Sequence, residues 1–431
     1  ASLLYNNKSK KHVNEFSNLK FPDIEYLIVN FYPFKKTVLK KLNIQKCIEM
    51  IDIGGPSLLR AASKNFTKVT SICDPADYTK LIKNYNDNKN KTSLKFRKEM
   101  ATKSFKTTFK YDMEIYEWFE NKKLTSDFII KNHNKVKLKY GENSHQNSVL
   151  FKNGKNNFFD NQIHGKELGF NNLRDIDSAF NCLNEFNNPT SVIIKHNSPC
   201  GAASSTNIYN AFRKSVLADP ISAFGGIIAL NRVVNVKTAL SISKNFYEVL
   251  LAPNFKNDAL KILKKNKNLI IIKTAGIHKN LNKEVFTINK GYLVQDFNKI
   301  KINRKIIKLV SNYKTTEKRI NDLIFAFKIC KHVKSNAIVL VNNSQTIAIG
   351  GGQSNRLESA KIAINKIQKK SNFVVASDAF FPFTDCIKIL IKKNCKAILK
   401  PSGSINDVNI IKFANDKKLS LYFSNYRLFK H

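Results

Sequence analysis

The residues best placed to do chemistry stand together at the end of one apolar run. Residues 191–201 read Ser-Val-Ile-Ile-Lys-His-Asn-Ser-Pro-Cys-Gly. The first half is β-branched, the composition of a buried strand. It stops at Lys195 and His196, and Pro199 and Gly201 are expected to turn the chain away. A strand that releases an ammonium and an imidazole at its carboxyl end delivers them to a sheet edge, where open α/β sheets bind ligands. A lysine ammonium disfavours a second positive charge beside it, which casts His196 as a proton acceptor. Lys195 is then the cation that stabilises an oxyanion. Taken alone, the stretch is more simply a strand end with two solvated basic residues, because Lys is found throughout the chain.

Other stretches carry weaker signals of the same kind. Ile-Asp-Ile-Gly-Gly-Pro at 51–56 is expected to open a helix, with Pro56 at its first position. Arg60 and Lys64, four apart, would share one face of it. Glycines before a helix N-terminus with cations on its first turns can hold a phosphate, although a plain strand–turn–helix connection is the simpler reading. Residues 138–146 (Leu-Lys-Tyr-Gly-Glu-Asn-Ser-His-Gln) are polar and aperiodic, the pattern of a functional loop. Residues 347–352 form a strand ending in glycines, and residues 353–356 open a second helix behind a Gly-rich turn. A strand over 373–376 delivers Ser-Asp-Ala-Phe-Phe-Pro-Phe-Thr-Asp at 377–385.

The scaffold that must position these residues is bounded by bulk composition. A chain of 431 residues is too long for one ordinary core, and 42% apolar residues are enough to fill two or three. Short β-branched runs alternate with amphipathic helices, so the fold class is α/β throughout. No internal repeat is visible. A block over 1–131 precedes a Lys-, Asn- and Ser-rich hinge near 122–137, and a second block covers 132–431. No apolar run is long enough to cross a bilayer, and the start of the chain does not read as a signal peptide. Seven scattered cysteines without a Cys-x-x-Cys pair suggest reduced thiols in a cytoplasm, and the eight histidines show no metal-ligand spacing. The formal charge of +41 suggests a polyanion such as RNA, but Lys is spread evenly instead of gathered in a patch, so a biased composition explains it better. A basic cleft still suits small anionic substrates.

Eight stretches, in order, resemble the family of bifunctional purine-biosynthesis enzymes that combine AICAR transformylase with IMP cyclohydrolase. They are Asn-Phe-Tyr-Pro-Phe (30–34), Ile-Asp-Ile-Gly-Gly-Pro (51–56), Tyr-Gly-Glu-Asn-Ser-His-Gln (140–146), Lys-His-Asn-Ser-Pro-Cys-Gly (195–201), Ser-Ala-Phe-Gly-Gly (222–226), Lys-Ser-Asn-Ala-Ile (334–338), Ser-Asp-Ala-Phe-Phe-Pro-Phe (377–383) and Arg-Leu-Phe-Lys-His (427–431). The resemblance implies a partial methylglyoxal-synthase-like cyclohydrolase domain over 1–131. It also implies a cytidine-deaminase-like transformylase of two α/β subdomains over 132–431. The transformylase would move a formyl group from 10-formyltetrahydrofolate to the amine of AICAR, with no metal. That amine is conjugated and poorly nucleophilic, so a base must take its proton as it attacks. The resemblance gives this role to His196, with Lys195 and Asn336 assisting. It implies AICAR contacts at Lys139, Tyr140, Gly225, Glu248, Asn336, Arg356, Phe380 and Arg427, and folate contacts at Leu357, Asp385, Ser404 and Ile405. It further implies a homodimer with the site at the interface.

Two departures from the family pattern stand out. Lys139 occupies a position where the family usually has arginine, so the charge remains but the two-pronged geometry does not. The family also has a segment before Ala1 that supplies the first strands of the cyclohydrolase, much of its phosphate site and a catalytic lysine. Tyr32, Asp52 and Lys64 match its remaining catalytic positions, and Val29, Asn30, Asp52 and Ile53 its nucleotide contacts. The cyclohydrolase is therefore expected to be impaired. The alternatives are a bifunctional enzyme completed by a separate chain, or a non-catalytic basic RNA-binding protein.

Overall fold

The computed structural model describes residues 2–6, 8–40, 43–120, 134–152, 157–277, 283–368 and 371–431, grouped in two compact units, Ala1–Ile130 and Lys131–His431. Most of the expected hinge near 122–137 lies outside the described residues. Its end belongs to a strand, Asn134–Leu138.

In the first unit, β1 (Tyr26–Ile28) and β2 (Thr70–Ile72) pair in parallel, as their β-branched and aromatic content predicts. Helices Gly54–Lys64 and Leu94–Glu120 pack on them, with Ile72 and Leu59 fully buried. The first of these helices starts at Gly54, so Pro56 is its third residue and not its first. The Asp52 carboxylate explains the difference, because it accepts the Gly55 N–H at 2.7 Å and begins the helix earlier. Pro56 still falls among the initial positions whose N–H has no helical partner.

In the second unit, β3 (Asn134–Leu138) and β4 (Ser148–Lys152) form one hairpin. The main sheet takes β5 (Gln162–His164), β6 (Thr190–Lys195), β7 (Ser198–Ser204), β8 (Ile227–Leu230), β9 (Val249–Ala252) and β10 (Ile270–Lys273). After a separate hairpin of β11 (Lys283–Ile288) and β12 (Gly291–Asp296), it adds β13 (Ile307–Leu309), β14 (Ile338–Asn342), β15 (Gln345–Gly350), β16 (Phe373–Ser377), β17 (Cys395–Pro401) and β18 (Ser420–Ser424). The order across its 12 strands is β13-β18-β17-β16-β14-β15-β7-β6-β8-β9-β10-β5.

This order corrects the expectation that the chain has no internal repeat. Read outward from the β7–β15 junction, the two halves have the same topology. A hairpin (β6–β7 or β14–β15) is followed by an antiparallel neighbour, two parallel strands and an antiparallel edge strand. Each hairpin is preceded by a helix of 14 residues, Phe170–Leu183 in the first half and Glu317–Cys330 in the second. The repeat lies in hydrogen-bond topology, while the side chains have diverged.

The central strands are buried on both faces, which is why they read as unbroken apolar runs. Val192 and Ile194 of β6 share one continuous core with Val339 and Val341 of β14. The opposite face holds two separate cores, one per half. Burying each such side chain contributes about 1.5–3 kcal/mol, enough to fix the register that leaves Lys195 at the strand end.

Candidate active site

The turn after β6 differs from its sequence reading. Pro199 and Gly201 do not turn the chain; both lie in β7, opposite Ile194 and Ile193. The turn is His196-Asn197 itself, with φ of 53° and 61°. Two successive left-handed residues make the tight hairpin whose twist matches its strands, and Asn tolerates that conformation well.

Helix Phe170–Leu183 holds this turn. The Asp175 carboxylate accepts the N–H of His196 at 3.2 Å and of Asn197 at 2.6 Å. Ser178 Oγ donates to Asn197 Oδ1 at 3.1 Å. Burial pushes the Asp175 carboxyl up from its ordinary value, and the two N–H groups pull against it. The same helix reaches Glu248 and the loop of Tyr140. Asn172 donates to Glu248 at 2.8 Å. Asn171 donates to the Glu142 carbonyl, and Arg174 pairs with the Glu142 carboxylate at 3.2 Å. Loop 140–146 is closed on itself by Gly141 N–H to Gln146 O at 2.7 Å. Within that loop Tyr140 is 39% exposed, and the Lys139 ammonium lies 5.9 Å from its ring centre. Lys195 Nζ donates to the Phe224 carbonyl at 2.8 Å, which ties it to the residue before Gly225. Gly225 needs its glycine, because its φ is 71°.

The other half supplies a cluster of arginines. Arg356 is 9% exposed, and three of its N–H groups are committed: to Ser377 Oγ, to the Phe380 carbonyl and to Asp378 Oδ1, at 2.9, 3.0 and 2.9 Å. Asp378 is fully buried, so this is an ion pair with its hydrogen bonds made, the condition under which a buried charge is tolerated. Ser335 Oγ donates to the second Asp378 oxygen at 2.6 Å. Asn336 Nδ2 donates to the Gln353 carbonyl, and its own carbonyl accepts from Ser359 Oγ at 2.7 Å. The Arg427 guanidinium stands 5.3 Å from the centre of the Phe380 ring. Asp407, bonded to buried Lys400 at 2.7 Å, accepts the N–H groups of Gly403 and Ser404 and so shapes the loop carrying Ser404 and Ile405. Ile405 and Phe383 are left exposed. Asp385 begins helix Asp385–Lys392, and Leu357 packs at the edge of the second core.

Lys430 joins the two clusters. Its backbone pairs with Ser335 in both directions, at 2.9 and 3.1 Å. Its Nζ, drawn down from its ordinary pKa by burial, donates to the carbonyls of Asn197 and His332 at 3.1 and 3.2 Å. Leu428 N–H bonds the Asp378 carbonyl at 2.8 Å. The chain segment with Arg427 therefore fastens the His196 turn to the Ser335-Asn336 loop. Sequence reasoning missed Asn171, Asn172, Arg174, Asp175, Ser178 and Lys430. The available signal was a polar stripe at helical spacing opposite Ile176, Ala179 and Phe180, which resembles a solvent face.

In the first unit, the Asp52 carboxylate also accepts the Tyr32 N–H at 3.3 Å, and Asp52 N–H donates to Tyr111 Oη at 2.7 Å. Val29 N–H bonds the Ile72 carbonyl, which extends the β1–β2 pairing to Val29, next to Asn30. Tyr32 and Ile53 are 56% and 73% exposed. Lys64 lines a cavity of about 720 Å³ with Arg60, Lys98, Phe66 and Phe105, so the expected shared face of Arg60 and Lys64 is present. The structure joins Tyr32 to Asp52 but sets Lys64 on a wall formed by other residues. Among the described residues, no group of His, Cys, Asp or Glu is arranged to hold a metal, and no helix is long and apolar enough to cross a membrane.

The fold is α/β, with a histidine-bearing hairpin turn in one half and Arg356 and Arg427 in the other, linked through the segment of Lys430. Comparison with known proteins identifies the family. The chain matches the AICARFT/IMPCHase bienzyme family over residues 62–366. It is 39% identical to the bifunctional purine biosynthesis protein PurH of Acetivibrio thermocellus and 40% identical to that of Caldicellulosiruptor saccharolyticus, each time over 100% of this chain and 86% of the relative. The chain belongs to the AICARFT/IMPCHase bienzyme family.

Proposed function

We propose that residues 131–431 transfer a formyl group from 10-formyltetrahydrofolate to the amine of AICAR, with His196 as the base. The observation that carries this reading is the His196-Asn197 turn, held by Asp175 and tied through Lys430 to the loop of Asn336. As the amine attacks the formyl carbon, His196 takes its proton. Lys195, kept near Gly225 by the Phe224 carbonyl, stabilises the negative charge that develops on the formyl oxygen. Arg356 and Arg427, both in contact with Phe380, receive the nucleotide together with Lys139, Tyr140, Gly225 and Glu248. Leu357, Asp385, Ser404 and Ile405 receive the folate. The enzyme works in the cytoplasm as a homodimer whose sites lie at the interface, on a transformylase region of two cytidine-deaminase-like subdomains. Full activity in a monomer by light scattering would remove the dimer from this reading.

The first unit, of the methylglyoxal-synthase class, carries whatever cyclohydrolase chemistry the chain has. Tyr32 is largely exposed, and Lys64 lines a cavity whose lining includes neither Tyr32 nor Asp52, which supports slow closure of formyl-AICAR to IMP. The test is a pair of assays on one sample: formyl transfer to AICAR, and conversion of formyl-AICAR to IMP. Transfer with little cyclisation is the expected result. Neither activity in folded protein, together with salt-sensitive RNA binding, would replace this reading with the RNA-binding one.

A further inference from the structure

We infer that Asp175 is a positioning residue that holds the His196 turn in its working conformation; the inference rests on the proposed role of His196. One carboxylate accepts both backbone N–H groups of the turn, and both turn residues have φ in the left-handed region. Ser178, one helical turn further on, holds the Asn197 side chain, and Lys430 holds the Asn197 carbonyl from the other half. The turn is thus fixed from two sides, and Asp175 supplies the only carboxylate among the described hydrogen bonds to it.

The molecule contains its own control. In the second half, the Asp322 carboxylate accepts the N–H groups of Asn343 and Ser344 at 2.9 and 2.7 Å. These residues turn β14 into β15 with φ of 54° and 52°. In both halves the carboxylate lies 21 and 22 residues before the two turn residues. The Asp322 turn carries Asn342-Asn343 where the first half carries Lys195-His196. Asp322 therefore does the same mechanical work with no reacting group attached.

The experiment compares Asp175→Asn, Asp322→Asn and His196→Gln in the full chain, reading thermal midpoint, kcat and both KM values. An amide can accept only one of the two N–H groups and turns an NH2 toward the other. Both Asn variants are expected to lose thermal stability by similar amounts. Only Asp175→Asn should lower kcat, by about 10- to 100-fold with both KM values little changed, because a misplacement on the order of 1 Å has that effect on rate. Unchanged kcat in Asp175→Asn, or an equal loss of kcat in Asp322→Asn, overturns the inference and leaves the carboxylate a fold-stabilising role. Full kcat in His196→Gln shows instead that the base assignment itself is wrong. If either Asn variant does not fold, Asp175→Glu and Asp322→Glu keep the charge, displace the turn and are read by the same criterion.

Discussion

β6 runs into Lys195-His196 and β14 into Asn342-Asn343, yet both strands enter a left-handed turn beneath a helix carboxylate. The scaffold is the same and the payload differs. The second half invests its polarity elsewhere, in the buried Arg356–Asp378 pair and the segment with Arg427. A duplicated sheet thus carries the proposed base on one side and the proposed nucleotide-binding arginines on the other. The lesson is that placement belongs to the topology, while the proposed reactivity belongs to two substituted positions.

The sharpest way to break this comparison is to exchange the payload. His196→Ala is expected to lower kcat for formyl transfer by about 10²- to 10⁴-fold, the usual contribution of a positioned base. Asn343→Ala, at the matching turn, should leave kcat unchanged in the same assay. If both variants lose activity alike, the halves do not divide the work as described.

Next in size is the buried pair of the second half. Asp378→Ala leaves Arg356 buried with its carboxylate partner gone and is expected to destabilise the protein by about 3–5 kcal/mol, read from the denaturant midpoint. A change under about 1 kcal/mol, the range of an exposed pair, would show that the pair is not the anchor.

Acid titrates a third feature, the buried cluster behind Lys430. Burial pushes His332 down to about 4, against its contact with Glu185. Burial alone would raise Glu185, but the hydrogen bonds and charges of His332 and Lys331 outweigh it and hold the carboxyl at about 2. Near neutral pH His332 is uncharged, and Lys331, 2.8 Å away, is the cation that keeps Glu185 ionised. The signs agree. A histidine whose pKa is depressed by folding binds its proton more readily when unfolded, so stability falls as pH drops from 6.5 toward about 4. Glu185 adds a further loss between 4.5 and about 2. Denaturant midpoints measured from pH 7 to 4 should fall, and His332→Gln should flatten that fall; a flat wild-type profile would reject the account.

Smaller effects separate backbone from side chain. Asn197→Ala and Asn343→Ala each place a Cβ residue at positive φ and should destabilise by about 1 kcal/mol. Only Asn197→Ala should also lower kcat, and Asn197→Gly should restore most of it. The smallest expected effect is at Lys139, where Arg would lower the AICAR KM by less than about tenfold with kcat unchanged. An unchanged KM would remove Lys139 from the nucleotide site.

Much of the sheet was legible because its central strands are buried on both faces. Val192 to Ile194, Ile227 to Leu230 and Val249 to Leu251 announce themselves as apolar runs. The duplication was not legible, since backbone hydrogen bonds preserve it and Lys195-His196 has no echo in Asn342-Asn343. The turn was misplaced because Pro199 and Gly201 are stronger punctuation than His-Asn, and only the carboxylate of a preceding helix makes His-Asn the corner. That helix went unnoticed because Asn171, Arg174, Asp175 and Ser178 look like groups seeking water. The candidate residues themselves were legible through family resemblance, but what grips them was not.

The Lys430 clasp also bears on the order in which a ribosome delivers the chain. His196 emerges long before residues 427–430, yet among the described hydrogen bonds that late segment is what ties its turn to the Ser335–Asp378 loop. A nascent chain stopped short of it would contain His196 and the arginine–aspartate pair but not the bond from Lys430 to the His196 turn. Cutting the chain ahead of this segment would free the His196 turn from the Ser335 loop, while the shared sheet and core still hold the two halves together.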